Sequence, residues 1–335
     1  MKKLAFSSLG LLMLLMACKK SVQSETIEET QSQEQRIAQR GCASHEVLQQ
    51  QIAADPSLRA RMDQIETFTK KAIASGEVSR LAADGVLEIP VVVHVLWNTT
   101  AQNINDLQVK SQIDVLNEDF QNTNADRTLL PANSFQSVAS TGMKVRFVLA
   151  ETINKYTKVQ SWSSNDAMKN SRRGGSDAVD PANNLNIWVC NLGQGLLGYA
   201  QFPGGNLSTD GVVVLYSAFG SKTKYPAGTY IGRFDLGRTA THEVGHWMNL
   251  RHIWGDDSGA CTGSDIVGDT PNQGGANTGA PTYPKISCNN GPTGDMFMNY
   301  MDYTDDRGMY MFSEGQKSRM VAVFASNGPR AAMGK

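Results

Sequence analysis

The residues best placed to do chemistry in this 335-residue chain form one run, His242-Glu243-Val244-Gly245-His246-Trp247-Met248-Asn249-Leu250-Arg251-His252. Two histidines four apart on a helix leave the same face one turn apart, so both imidazoles reach a single zinc ion. Glu243 immediately follows the first of them. Its carboxylate is expected over the open coordination position, where it takes a proton from a zinc-bound water instead of ligating the metal itself. His252 stands six residues after His246 and cannot share that face if the helix continues, so a sharp turn is expected between them. The chain has five histidines and three of them fall in this run, a pattern that chance placement does not explain. A structural zinc would be closed by a fourth protein ligand, whereas three histidines keep a place for water.

Taken with its third histidine, the run resembles the H-E-x-x-H-x-x-G-x-x-H motif of the metzincin metalloproteases. Asn249 replaces the glycine that permits the turn, and asparagine is among the few other residues that tolerate a left-handed backbone. The flanking Trp247 to Asp256, with Asp265-Ile266-Val267-Gly268-Asp269-Thr270-Pro271 further on, is similar to the pappalysin branch. The resemblance continues through Met298-Asn299-Tyr300-Met301-Asp302-Tyr303-Thr304-Asp305-Asp306 and covers most of residues 85 to 325. It implies that Met301 forms the hydrophobic floor of a Met-turn and that Tyr303 supplies a phenol to stabilise the tetrahedral oxyanion. It also implies that Asp306 lies at the base of the S1′ pocket, where a buried carboxylate draws in a guanidinium. Cleavage is then expected before Arg, and less efficiently before Lys.

The same resemblance bears on latency and on a second metal. Arg40-Gly41-Cys42 resembles a family pro-segment cysteine, so Cys42 is expected to fill the water position as a thiolate and keep a zymogen silent. If Arg-directed self-cleavage removes it, Leu58-Arg59 and Ala60-Arg61 are the first bonds to inspect. Similar loops after the third histidine bind calcium among the pappalysins, and here Asp265, Gly268, Asp269 and Thr270 supply hard oxygen ligands.

These groups need elements to hold them. Val86 to Trp97 reads as a central strand, and Val109, Ile113, Leu116 and Phe120 predict a helix from about Asn105 to Gln121 with one apolar stripe on a sheet. Val145, Phe147 and Leu149 alternate as a half-buried strand should, while Leu185 to Cys190 and Val212 to Tyr216 are continuous apolar runs. A helical pattern also covers Glu46 to about Ser75. Ser313 and Gln316 make a capping box for a last helix through about Phe324. Between these the second half is loop-rich, and Cys261 and Cys288 bracket a segment dense in Gly, Asn, Thr and Pro that a disulfide would fasten. Cys190 is read as a small buried hydrophobe. The predicted class is α+β. The resemblance makes the sheet twisted, mixed and five-stranded, with a backing helix and the active-site helix in the first half and a C-terminal helix closing the second.

Met1-Lys2-Lys3, the apolar run Leu4 to Met16 and Ala17-Cys18 read as an export signal. Leu15-Met16-Ala17-Cys18 resembles a lipobox in which Cys18 takes lipid, with ordinary signal cleavage as the alternative. The expected organisation is a signal over residues 1–17, a tether and pro-segment over 18–60, and a catalytic domain over 61–335 that ends the chain. Export makes disulfides permissible. With 31 basic against 32 acidic side chains, nothing in the charge favours a nucleic-acid partner. Protein or peptide substrates are expected, and the oligomeric state is left open. The resulting reading is an exported zinc endopeptidase, secreted or held at the cell envelope, made latent, with one catalytic zinc and structural calcium. The competing reading is an envelope lipoprotein that holds zinc without turnover, for which Glu243 would have no use.

Overall fold

The computed structural model describes residues 37, 39–78, 85–257 and 259–333. The export signal, Cys18 and the tether up to residue 36 lie outside the described residues. Among the described residues no helix is long and apolar enough to cross a membrane.

Apolar runs build the sheet. Strand β1 (Leu87–Trp97) lies between β2 (Val145–Tyr156) and β3 (Leu185–Cys190), and the sheet continues through β5 (Val212–Leu215) to β4 (Gly198–Ala200). The first four pair in parallel, and β4 pairs with β5 antiparallel at the edge, which makes the sheet mixed and five-stranded as expected. β3 and β5 are buried along their whole length, the consequence of cover on both faces and the reason their sequences do not alternate. β2, at the other edge, buries Val145 and Phe147 and exposes Arg146 and Val148, which alternate with them. Cys190 ends β3 fully buried, and burial pushes its thiol pKa up, consistent with a packing role.

Helices cover the sheet. α1 (Ser44–Ala54) and α2 (Ser57–Ala74) replace the single stretch read from the sequence. They separate at Asp55-Pro56, where proline has no N–H to continue the first helix and the Asp55 carboxylate accepts instead from the Ser57 amide. α2 runs unbroken across the expected boundary between residues 60 and 61. It packs on the C-terminal helix through a Glu66–Arg319 ion pair. α3 (Asp106–Phe120) starts at Asn105, whose side chain accepts from the Gln108 amide, and buries Val109, Ile113, Leu116 and Phe120 as its spacing predicts. α4 (Arg238–Trp247) is buried at every residue, and α5 (Glu314–Ala322) begins with the Ser313–Gln316 capping box.

The second half holds a smaller apolar cluster, including Ile253, Trp254, Phe297, Met298 and Met311, and needs further fastening. Cys261 and Cys288 supply some of it as a disulfide, their Cα atoms 5.5 Å apart. Asp302 supplies more, accepting from Gln273 and from both the backbone and the side chain of Asn277.

Candidate active site

The site is assembled around α4. The helix starts beyond Gly237, whose φ of +84° is left-handed. Two nearby N–H groups, of Leu236 and Arg238, donate to the Asp306 carboxylate, as an anion at a helix N-terminus should receive them. The Arg238 side chain is buried against Asp119 and Asp126, and Thr241 donates to Asp119 at 2.7 Å, so α4 is locked to α3. One turn on come His242 and Glu243, then His246. The helix ends at Trp247, and Asn249 takes the left-handed conformation at φ +72° that the sharp turn requires. His252 thereby returns to face the other two.

The three Nε2 atoms converge. His246 Nε2 lies 3.1 Å from that of His242 and 3.1 Å from that of His252. Each Nδ1 is anchored elsewhere: His242 on the Tyr300 carbonyl at 2.6 Å, His246 on the Leu250 carbonyl at 2.8 Å, and His252 on the Asp256 carboxylate at 2.7 Å. These acceptors hold the proton on Nδ1 and turn three Nε2 lone pairs inward. Burial, then the neighbouring imidazoles, hold His242 well below its ordinary pKa and His246 down to about 3, so both stay neutral, as metal ligands must be.

Cys42 Sγ completes the cluster, its ligand atom and the three imidazole nitrogens lying within 4.8 Å of one another. A cysteine sulfur, as thiolate, and three imidazole nitrogens are four donors of the kinds that bind zinc tetrahedrally. Below it, a Cβ on Gly245 would sit 2.5 Å from the Met301 sulfur, so the glycine between the histidines is what lets the methionine approach. Tyr303 stands beside the cluster with its ring 5.0 Å from that of His252 and 4.7 Å from that of Trp254, and Trp254 stacks on His252 at 4.4 Å.

The segment ahead of α1 fills the cleft. It forms a parallel bridge between Cys42 and Gly198 on edge strand β4, with Leu197 donating to the Gly41 carbonyl at 2.8 Å and Ala43 to the Gly198 carbonyl at 3.1 Å. Cys42 Sγ lies 3.3 Å from Glu243 Oε2, and Ser44 Oγ donates to the same oxygen at 3.0 Å. Tyr303 Oη donates to the Cys42 carbonyl at 3.1 Å. Burial raises Glu243 to about 8 despite the bonds from Cys42 and Ser44, and burial with the Glu243 charge pushes the Cys42 thiol well above its ordinary value.

Arg40 reaches Asp306. Its Nη2 donates to Asp306 Oδ1 at 2.6 Å, Nη1 to Thr239 Oγ1 at 3.0 Å and Nε to the Thr304 carbonyl at 3.2 Å, while the guanidinium lies over the Phe234 ring at 5.1 Å. Both charged side chains are almost completely buried.

Every residue named from the sequence around the histidines is therefore brought to one place. The loop residues behave differently. Asp265 and Thr270 meet, the Thr270 hydroxyl donating at 2.8 Å, and burial raises Asp265 to about 7. Asp269 does not join them: its carboxylate accepts from Ser313 Oγ at 2.6 Å and from the Gly315 amide at 2.7 Å, at the start of α5. Sequence reasoning missed four residues, of which Thr239, buried in the first turn of α4, carried no signal. Arg40 stands in the sequence as part of the Arg40-Gly41-Cys42 motif, and an arginine two residues from a metal-directed cysteine is a signal when a buried acid is expected nearby. Asp256, four residues after His252, carried a readable spacing. Ser44 carried none.

A helix with two converging histidines, a third returned by a turn, a methionine beneath them and a mixed sheet behind is the architecture of a metzincin metalloprotease. The family model described as Peptidase M43, pregnancy-associated plasma protein-A, matches residues 170–325. An extracellular metalloprotease of Pyricularia oryzae is 34% identical over 78% of this chain and 84% of its own length. Mature mirolysin of Tannerella forsythia, solved with a cleaved peptide, is 47% identical over 75% of this chain and 96% of that one, with a TM-score of 0.71. A point mutant of Tannerella forsythia promirolysin is 43% identical over 88% of this chain and 97% of that one, with a TM-score of 0.77. The chain belongs to the Peptidase M43 family and is a metalloendopeptidase.

Proposed function

We propose that the protein is a secreted, zinc-dependent endopeptidase, made latent, that cleaves peptide bonds on the N-terminal side of arginine and less readily of lysine. The observation that carries the specificity is Arg40, a guanidinium from the chain's own leading segment held in a closed pocket by Asp306. A pocket that buries one arginine with a carboxylate at its end accepts another from a substrate.

His242, His246 and His252 would hold the zinc. Bound there, zinc supplies Lewis acidity and a water of lowered pKa. Glu243 faces that position from the α4 side; its carboxylate takes a proton and returns it to the leaving amine. Tyr303, whose phenol already donates to a carbonyl in the cleft, donates to the developing oxyanion. In the latent form Cys42 and Ser44 occupy Glu243, and Cys42 stands where water belongs.

The polarity of the leading segment explains why it is not cut. A substrate cleaved before arginine presents its scissile carbonyl one residue N-terminal to that arginine. Here the group at the histidines, Cys42, lies two residues C-terminal to Arg40, so the segment fills the pocket while running the other way. Its removal starts activity. The Leu58–Arg59 and Ala60–Arg61 bonds lie in helix α2, whose folded backbone does not extend into a cleft. The promirolysin match covers 13 percentage points more of this chain than the mature match. That supports a pro-segment reaching to the end of α2, with Ser79–Arg80, outside the described residues, as the first bond to inspect. Asp265 and Thr270 are proposed as the centre of a calcium site, with Gly268 at its edge. Export by the N-terminal signal, and lipid at Cys18, complete the reading for the full chain.

The test is mass spectrometry of a mixed peptide library incubated with the processed protein, beside a Glu243→Ala variant and a chelator control. Cuts before arginine that vanish in both controls are expected. Chelator-sensitive cuts without that preference would keep the protease and discard the pocket assignment.

A further inference from the structure

We infer that Thr239 is the specificity-determining residue that makes this pocket favour a guanidinium over an ammonium, an inference that rests on the proposed reading of the Asp306 pocket. Charge alone does not separate arginine from lysine, since Asp306 attracts both. Shape does. Arg40 spends three different nitrogens on three separate acceptors: Nη2 on Asp306 Oδ1 at 2.6 Å, Nη1 on Thr239 Oγ1 at 3.0 Å, and Nε on the Thr304 carbonyl at 3.2 Å. Its plane lies over the Phe234 ring at 5.1 Å. An ammonium carries all its donors on one tetrahedral atom and cannot reach acceptors set around the rim of a planar fork.

Of the three acceptors, Asp306 supplies the charge and Thr304 contributes a backbone carbonyl that no substitution removes. Thr239 is the one whose contribution is shape without charge. It sits in the first turn of α4, one residue beyond Arg238 and three before His242, with no exposure to solvent. Its position is held independently of the occupant, because Asp306 accepts from the amides at the start of the same helix and Arg238 is locked to Asp119. A guanidinium entering without this hydroxyl leaves a buried N–H with no acceptor, whereas an ammonium centred on Asp306 loses much less.

The experiment compares kcat/KM on two peptides that differ only in arginine or lysine after the scissile bond, using processed wild type, Thr239→Val and Thr239→Ser. Valine keeps the branched shape and removes the acceptor; serine keeps the acceptor. The Arg-to-Lys ratio is expected to fall about tenfold in Thr239→Val, mostly through the arginine peptide, and to stay near wild type in Thr239→Ser. An unchanged ratio in Thr239→Val overturns the inference, as do equal losses on both peptides, which would mark Thr239 as a support of the helix. A wild type without preference for arginine would instead overturn the pocket reading itself.

Discussion

Replacing Arg40 with alanine should unlock the zymogen while leaving the enzyme that emerges from it untouched. In the latent form the Arg40 guanidinium donates to Asp306, Thr239 and the Thr304 carbonyl in a site closed to water. Breaking a buried ion pair costs about 3–5 kcal/mol when the surviving charge stays buried. That figure does not apply here, because release of the segment returns both Arg40 and Asp306 to water. What remains is the net value of the hydrogen bond to Asp306, about 2–3 kcal/mol, with the two bonds to neutral acceptors offset by the rotamer freedom the arginine regains on release. The opening equilibrium of the segment should therefore shift between about 30-fold and 150-fold. The assay is the rate of self-processing at fixed zymogen concentration, followed on gels, with Cys42→Ala as the comparison and Arg40→Lys as the conservative control. Arg40→Ala should process far faster than wild type, with Arg40→Lys between the two. The processed enzymes should have the same kcat/KM, since residue 40 is no longer present. A variant that matures at the wild-type rate while Cys42→Ala matures quickly would refute the reasoning and leave latency to the thiol alone.

Three other substitutions read other parts of the site. Asp306→Asn keeps an oxygen for the amides of Leu236 and Arg238 but removes the charge, so kcat/KM on an arginine peptide should fall about 10- to 100-fold with the melting temperature little moved; equal loss on a peptide without a basic residue would count against the pocket. Asp256→Asn loosens the carboxylate that holds the His252 ring, and competition with a chromogenic chelator should show zinc affinity lower by about 10- to 100-fold; an unchanged affinity would remove Asp256 from the metal site. Burial raises Asp302 to about 6, so the folded state keeps a proton that the unfolded chain has lost above its ordinary value near 3.8. The penalty is absent below pH 4 and complete above pH 6, reaching up to about 3 kcal/mol. Any stability advantage of wild type over Asp302→Asn should therefore shrink as pH rises through that window, and a gap independent of pH in thermal melts would show that the carboxyl is not so perturbed.

The metal-facing half of the site was legible because it is local. His242 and His246 share a helix face by the period of the helix alone, and Asn249 offered a residue able to turn left-handed where His252 had to be brought back. The strands β1, β3 and β5 were legible for a similar reason, since apolar runs of that length have to be buried somewhere. Other features were not local. The helical pattern from Glu46 to about Ser75 reads as one stretch, and the structure divides it at Asp55-Pro56 into α1 and α2. Asp269 stood among the calcium candidates through the family resemblance of its loop, yet the start of α5, more than forty residues away, claims its carboxylate.

Residue types and short-range periodicity settled which groups could meet a metal, because a helix translates sequence separation directly into direction. Only the tertiary structure decided what surrounds them. Arg40 lies 266 positions from Asp306 and 199 from Thr239, and Ser44 lies 199 from Glu243. No periodicity connects residues so far apart; they meet because the leading segment runs parallel to the edge strand β4 and the chain after Met301 brings Asp306 back to the start of α4. Latency and pocket shape therefore belong to the packing, while the capacity for metal chemistry was already written in eleven consecutive residues, His242 to His252.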